Sequence, residues 1–179
     1  MSHRDIKIRK ALAWVACHKM QKVWRSRLKK HLKRRLFIAT VESVLLYGSS
    51  RWTLTKSMEK SLDGTYTRLL RMALNVSWKG HKTNEELYGD LPKVSRKIAE
   101  RRCRLAGHCV RHTEEEASKT VLWEPTEGRA NRGRKITTYV DVLKKDTGLD
   151  NITELQTAMQ DRETWKSYVS LARTGVRPK

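Results

Sequence analysis

The sequence is short of the residues on which several classes of protein depend. Its 179 residues include three prolines, nine glycines and one phenylalanine, and 38% of them are hydrophobic. So few prolines and glycines disfavour a fold rich in long loops, and the low apolar fraction predicts a modest core. Six tryptophans and five tyrosines still argue against disorder, because disordered chains are poor in aromatic residues.

Long apolar runs are missing as well. No stretch approaches the roughly eighteen continuous apolar residues that a membrane-spanning helix needs. The charged residues 1–10 are not followed by the apolar region of a secretory signal. The three cysteines are odd in number and follow no recognised spacing, which indicates a reducing compartment and no disulfide framework. We therefore expect an intracellular protein, nuclear or cytoplasmic, that does not bind membranes.

Acidic residues are scarce, and they are segregated from the basic ones. The chain has 39 Lys and Arg against 19 Asp and Glu, a formal net charge of +20. The basic residues are concentrated in 1–35, 93–111 and 129–135, whereas most acids lie elsewhere. A basic peripheral-membrane protein or a highly soluble one would share this total, but segregated positive charge favours a polyanionic partner. Nucleic acid is the partner that the distribution predicts.

Apolar residues recur at helical spacing along nearly the whole chain, and no alternating strand pattern or internal repeat is evident. Ile8, Ala11, Leu12 and Val15 follow the i, i+3, i+4, i+7 spacing of a helix with one buried face. A helix over about 57–76 has an equally regular inward face. Its inward residues are Leu62, Tyr66, Leu69, Leu70 and Ala73. Further helices are predicted over 95–111 and beyond 136, and a capping box over 83–86 predicts a short one.

Another predicted helix, over about 28–47, has one apolar and one strongly basic face. The residues expected to point inward are Leu28, Leu32, Leu36 and Ala39. The residues expected on the opposite face are Lys29, Lys30, Lys33 and Arg34. The sequence thus predicts an all-α protein in three parts. They are a basic helical body over 1–122, a Gly/Arg-rich linker over 123–135 and a small C-terminal helical extension over 136–179.

Cys103, His108, Cys109 and His112 are zinc ligands by residue type only. Structural zinc sites take their ligand pairs from a turn and a separate element, whereas these four fall within one predicted helix. Adjacent His108 and Cys109 point about 100° apart on a helix, so all four could meet only if the helix broke at Gly107. We therefore predict no metal site, a buried Cys109 and a phosphate-facing His108. A cryptic zinc centre is the lesser alternative.

The residues of a catalytic centre are also lacking. Chemistry with two metal ions needs clustered carboxylates. The only run of three acids, Glu114 to Glu116, is consecutive, so its side chains fan outward. No nucleophile elbow and no phosphate-binding glycine loop is present. The chain is therefore predicted to be no enzyme as given, with no catalytic residues and no cofactor.

The candidate ligands for nucleic acid lie in the basic segments. Guanidinium groups suit phosphate oxygens, and glycines in the 128–135 strip would let the backbone approach phosphates. The residues predicted to bind nucleic acid are Arg101, Arg102, Arg104, His108, Arg111, Arg129, Arg132, Arg134, Lys135, Lys29, Lys30, Lys33 and Arg34. The alternatives are a solvated linker and a surface helix paired with acids. Trp52 and Trp78 could stack on bases, but buried packing between helices is the favoured interpretation.

A series of short motifs runs in order along almost the whole chain. They are Leu45-Leu46-Tyr47-Gly48, Trp52-Thr53-Leu54-Thr55, Leu62-Asp63-Gly64, Arg68-Leu69-Leu70-Arg71, Val76-Ser77-Trp78, Thr83-Asn84-Glu85-Glu86-Leu87-Tyr88, Leu91-Pro92, Arg101-Arg102-x-Arg104-Leu105-x-Gly107-His108-x-x-Arg111, Trp123-Glu124-Pro125, the Gly/Arg strip and Asp161-Arg162-x-x-Trp165. Together they resemble the C-terminal part of a non-LTR, RTE-like (LINE-type) retrotransposon endonuclease–reverse transcriptase. The chain departs from this pattern at two places, with Ser49-Ser50 in place of Cys-Glu and Lys135 in place of proline. A decayed genomic copy or a truncated gene model would show such departures.

The resemblance implies a role without catalysis. Such proteins carry an endonuclease, a fingers–palm reverse transcriptase and then a helical thumb with a C-terminal extension. This chain resembles the thumb and extension, so the palm with its catalytic aspartates is expected upstream of Met1. The implied function is contact with the backbone of an RNA or RNA–DNA template–primer. The alternatives are a module that docks on the palm or on an acidic partner, which an exposed apolar patch would favour, and a decayed copy without function.

Overall fold

The computed structural model describes residues 2–112, 114, 116–124 and 137–175. Within these ranges the regular structure is entirely helical and contains no strand, which confirms the all-α prediction. The α-helices are α1 (Ser2–Lys19), α2 (Gln21–Arg25), α3 (Lys30–Phe37), α4 (Ser43–Leu45), α5 (Lys56–Ala73), α6 (Asn84–Tyr88), α7 (Val94–Arg111), α8 (Glu116–Val121), α9 (Tyr139–Thr147), α10 (Ile152–Gln160) and α11 (Arg162–Thr174). A π-helical stretch, Ile38–Glu42, joins α3 to α4, and 3₁₀ turns cover Ser49–Arg51 and Trp78–Gly80.

The chain forms two compact units. Unit 1 comprises Met1–Gly48 and Leu54–Ser95, and unit 2 comprises Ser49–Thr53 and Arg96–Lys179. This division differs from the predicted one, which placed all of 1–122 in a single body. The reason lies in α7, whose buried face shares its core with the C-terminal helices. That core includes Ala99, Cys103, Ala106, Val110, Val140, Leu143, Leu155, Met159, Trp165 and Ala172.

Helix α5 is the central element of unit 1, and its predicted inward face is confirmed. Leu62, Tyr66, Leu69, Leu70 and Ala73 are all fully buried. The helix begins at Thr55, whose side chain accepts a hydrogen bond from the backbone N–H of Met58, as an N-cap does. The predicted capping box at the start of α6 is also confirmed, with Thr83 and Glu86 bonded reciprocally.

The predicted inward face of α1 is wrong. The residues Ile8, Leu12 and Val15 are 48%, 44% and 52% exposed, and Ala11 is exposed as well. Helix α1 instead buries Ile6, Ala13 and Cys17 while it packs against α4 and α5. Ala13 and Cys17 are small, so they allow a close approach between helices. Both sets of residues have helical spacing, which is why spacing alone did not distinguish them.

The predicted faces of the 28–47 helix are wrong in part. Leu28 and Ala39 are exposed, whereas Lys33 is buried and its ammonium donates to the carbonyl oxygens of Trp24 and Ser26, at 2.6 and 2.8 Å. The residues that point inward are Lys33, Phe37, Val41 and Leu45. Successive members of this set are four residues apart, whereas one turn of an α-helix takes 3.6 residues. The π-helical stretch, whose turns are wider, accommodates this spacing.

No helix in the described part of the chain combines the length and the apolarity that crossing a lipid bilayer requires.

Candidate nucleic-acid interface

Helix α7 carries five of the residues predicted to bind nucleic acid, and the structure separates them into an inner and an outer group. Arg102 belongs to the inner group because its side chain is 2% exposed. Its guanidinium forms an ion pair with Asp146 and donates to the carbonyl oxygen of Trp52 from Nη2 and Nε, at 2.8 and 3.2 Å. The expectation that Arg102 faces solvent or a ligand is therefore wrong. Its guanidinium holds the core of unit 2 together.

Arg111 is half-buried and also serves the packing of unit 2. Its Nη1 donates to the carbonyl oxygen of Met159 at 2.7 Å, which ties the end of α7 to α10. Beside it, the indole of Trp165 lies directly against Gly107 and donates to the carbonyl oxygen of Cys103 at 2.8 Å. The end of α7 is thus fixed by hydrogen bonds to backbone carbonyls.

Arg101, Arg104 and His108 form the outer group, which we name the α7 stripe. Successive members are three and four residues apart and all are exposed, so they lie on one face of the helix. Arg104 pairs with Glu100 at 2.6 Å, with its side chain 66% exposed. The Glu100 carboxylate is 13% exposed and also lies 3.8 Å from Arg173, so it keeps a cationic partner when Arg104 binds a phosphate instead.

The basic residues of α3 are likewise divided. Lys29 and Lys30 are exposed, as predicted. Arg34 is half-buried, and its Nη2 donates to the carbonyl oxygen of Leu87 at 2.7 Å. The guanidinium of Arg34 also lies against Gly89, where a Cβ atom would come within 3.2 Å of Nη1. This arginine is therefore held in place by α6.

Four cationic or potentially cationic side chains line one small cleft of unit 1, which we name the basic cleft. They are Lys30, His31, Arg34 and Lys82. The cleft encloses about 170 Å³ over an apolar base of Leu74, Val76 and Leu87. Its single acidic lining residue, Glu86, accepts a hydrogen bond from the backbone N–H of Thr83 at 3.3 Å.

His31 and Lys82 were missed by sequence reasoning. Lys82 precedes α6 and is far along the chain from α3, so only the tertiary fold places it beside Lys30 and His31. In the part of the chain that the structure describes, these three side chains make no ion pair with a carboxylate. No local pattern in the sequence would have connected them.

Four further predicted residues lie outside the described residues. They are Arg129, Arg132, Arg134 and Lys135. The side chain of Trp78 is also outside the described part, whereas Trp52 is buried, at 3% exposed. The interpretation of Trp52 as a packing residue is therefore confirmed.

The cysteines and histidines in α7 and directly after it point in different directions. Cys103 and Cys109 are buried and His108 and His112 are exposed, because the helix continues through Gly107 without a break. Burial raises the pKa of the Cys103 thiol to about 12, with the nearby Asp146 carboxylate adding to the effect. Among the described residues, no three His, Cys, Asp or Glu side chains are placed to hold a metal ion.

Comparison with known proteins gives one informative similarity. The chain is 23% identical over 177 residues to an uncharacterised transposon-derived protein of Caenorhabditis elegans, an alignment that covers 92% of this chain and 63% of that protein. The chain thus spans less than two thirds of the length of this relative. No family profile matches the chain, and no solved structure matches it.

Proposed function

We propose that this chain derives from a transposon and that it is a non-catalytic, nucleic-acid-binding fragment of a retrotransposon reverse transcriptase. It would contact the phosphate backbone of an RNA or RNA–DNA template–primer. The similarity to a transposon-derived protein over 92% of the chain supports the origin. The ordered motifs support the more specific assignment to a reverse transcriptase of the RTE-like kind.

The observation that carries the binding proposal is the basic cleft. Lys30, His31 and Lys82 are exposed and unmatched by carboxylates among the described residues, so their charge is available to a polyanion. The α7 stripe offers two further guanidinium groups from unit 2. Contacts of this kind fix a protein on the sugar–phosphate backbone without reading bases, as suits a protein that must follow any template.

A catalytic role would need a particular arrangement of carboxylates. Two-metal nucleotidyl transfer needs carboxylates that converge on both ions, and the described Asp and Glu residues form no such cluster. We expect no primer extension by the purified chain with deoxynucleotides and Mg²⁺. Incorporation of nucleotide that survives purification would contradict this part of the proposal.

Binding is tested with a fluorescent RNA–DNA hybrid by anisotropy at several salt concentrations. Affinity should fall linearly on a log–log plot, with a slope of about −0.9 for each phosphate neutralised. The Arg101→Gln/Arg104→Gln variant should bind more weakly, and its affinity should depend less steeply on salt concentration, because two phosphate contacts are removed. A wild-type chain whose association does not respond to salt would contradict the proposal.

A second candidate function, docking on an acidic protein partner, is favoured by the exposed face of α1. Ile8, Leu12 and Val15 are each 44–52% exposed and form a continuous row that we name the α1 stripe. Arg4 and Lys19, both exposed, continue the row one turn beyond each end. A second copy of the chain would bring like charges together, so the surface fits an amphipathic helix with acidic ends.

The docking candidate is tested with a synthetic amphipathic helical peptide that carries acidic residues at both ends. Binding should be lost in Leu12→Asp and kept in Lys7→Gln, a neighbouring exposed position. Equal binding to the wild type and to Leu12→Asp would exclude the α1 stripe. Sedimentation of the wild type as a dimer would show that a second copy occupies the stripe instead.

A further inference from the structure

We propose that the basic cleft of unit 1 binds a terminal phosphate monoester, the phosphorylated end of a nucleic-acid strand. The inference rests on the proposed function, because it names the part of the nucleic acid that this one cleft recognises. Four side chains carry it, namely Lys30, His31, Arg34 and Lys82, which line a single cavity. Nothing in the sequence motifs distinguishes these residues as a group.

Positive charge exceeds negative charge inside the cleft. Lys30, Arg34 and Lys82 bring three positive charges, and His31 adds a further donor, against the one carboxylate of Glu86. That carboxylate already accepts a hydrogen bond from the helix cap. Positive charges gathered in a concave site focus the electrostatic field there and attract an anion.

One cation of the cleft, Arg34, is already fixed in position by its neighbours. The guanidinium of Arg34 is held by its bond to the carbonyl oxygen of Leu87 and by its contact with Gly89. Gly89 has a φ of +53°, a conformation that favours glycine, and any larger residue would push against Nη1 of the arginine. A fixed arginine surrounded by adaptable lysines loses little entropy when an anion binds.

The number of donors in the cleft selects the chemical class of the anion. An internal phosphodiester carries one negative charge and two free oxygens. A monoester carries a charge of about −1.5 to −2 near neutral pH and offers three acceptor oxygens. Three cationic side chains and an imidazole therefore match the monoester better than the diester. The volume of about 170 Å³ accommodates one phosphate with part of its sugar.

The experiment compares single-stranded oligonucleotides of one sequence by anisotropy at fixed salt. One has hydroxyl groups at both ends, one has a 5′-phosphate and one has a 3′-phosphate. A fourth has hydroxyl ends and one extra nucleotide, so that it adds a negative charge without a monoester. We expect a preference of about tenfold for at least one phosphorylated end, and little or none for the longer strand. Inorganic phosphate at millimolar concentration should reduce the preference.

Two matched variants assign the preference to the cleft. Lys30→Gln/Lys82→Gln removes two charges from the cleft, and Lys7→Gln/Lys19→Gln removes two from exposed positions of α1. The preference should disappear in the first variant and persist in the second. All four lysines are exposed, so thermal unfolding of both variants should match that of the wild type.

The outcomes separate the inference from the proposed function. Equal affinity for phosphorylated and hydroxyl-ended strands, with salt-dependent binding of both, would overturn the terminal-phosphate inference alone. A preference that survives in Lys30→Gln/Lys82→Gln would overturn the assignment to this cleft. A chain that binds none of the strands would contradict the proposed function and this inference together.

Discussion

The two units of this molecule place their basic residues in contrasting ways. In unit 2, two of the arginines of α7 point inward, where Arg102 meets Asp146 and Arg111 meets a backbone carbonyl. In unit 1, Lys30, His31 and Lys82 surround an open cleft with no carboxylate partner in the described part of the chain. Two arginines of α7 thus stabilise the core of unit 2, whereas these three side chains of unit 1 form an open surface.

A count of positive charges therefore overstates the surface available to a polyanion. Long cationic side chains are good donors to buried carbonyl oxygens, and the basic helices of this chain supply several of them. Even unit 1 contains such a case, because Lys33 donates to Trp24 and Ser26 inside the fold. The net charge of +20 is therefore not all presented outward.

The largest expected effect comes from breaking the buried ion pair of unit 2. Arg102→Met should lower the free energy of unfolding by about 3–5 kcal/mol, because Asp146 would be left without its partner. Arg104→Met, on the exposed face of the same helix, should change it by less than about 1 kcal/mol. Urea denaturation measures both, and equal losses would contradict the division of α7 into inner and outer arginines.

Replacing one glycine in each unit by alanine should change stability in opposite directions. Gly107→Ala should destabilise unit 2 by about 1–3 kcal/mol, because the new methyl group would overlap the indole of Trp165. Gly64→Ala should stabilise unit 1 by up to about 1 kcal/mol, since nothing lies within 4 Å of the added atom and alanine favours the helix. Thermal unfolding of both variants measures the difference, and shifts of the same sign would contradict it.

A similar loss of stability is expected when Lys33, the buried lysine of unit 1, is replaced. Lys33→Met keeps the aliphatic length but leaves two carbonyl oxygens without their donor, so the free energy of unfolding should fall by about 1–3 kcal/mol. Lys29→Met, at an exposed neighbouring position, should change it by no more than about 0.5 kcal/mol. Affinity for an oligonucleotide should fall in Lys29→Met and change little in Lys33→Met. A Lys33 variant with full stability and weakened binding would contradict the internal role of Lys33.

The smallest signal comes from cysteine labelling, which reports on each unit separately. Burial raises the pKa of Cys17 in unit 1 to about 11 and that of Cys103 in unit 2 to about 12. Both thiols are therefore protonated at pH 8, and the thiolate is the reactive form, so native labelling should be slow. Arg102→Met should accelerate labelling of Cys103 while Cys17 stays slow. Equal acceleration at both cysteines would show that the two units open together.

The sequence predicted the parts of the fold that depend on local pattern. The inward face of α5 and the capping box at Thr83 follow from spacing and residue type, and both are confirmed. The face of α1 was predicted wrongly because two apolar rows compete, and packing against other helices selects the one with small residues. The site was harder still, since the burial of Arg102 depends on Asp146, 44 residues away. The basic cleft likewise depends on Lys82, which only the tertiary fold brings to α3.

The most direct test of the central claim is the salt dependence of binding to an RNA–DNA hybrid, measured for three proteins. They are the wild type, Lys30→Gln/Lys82→Gln and Lys7→Gln/Lys19→Gln. If the open cleft holds phosphates, the log–log slope of the cleft variant should be less steep by about 0.9 for each phosphate that it no longer neutralises. The slope should change less in the α1 control. An identical slope in all three proteins would contradict the claim that the cleft of unit 1 binds the nucleic-acid backbone.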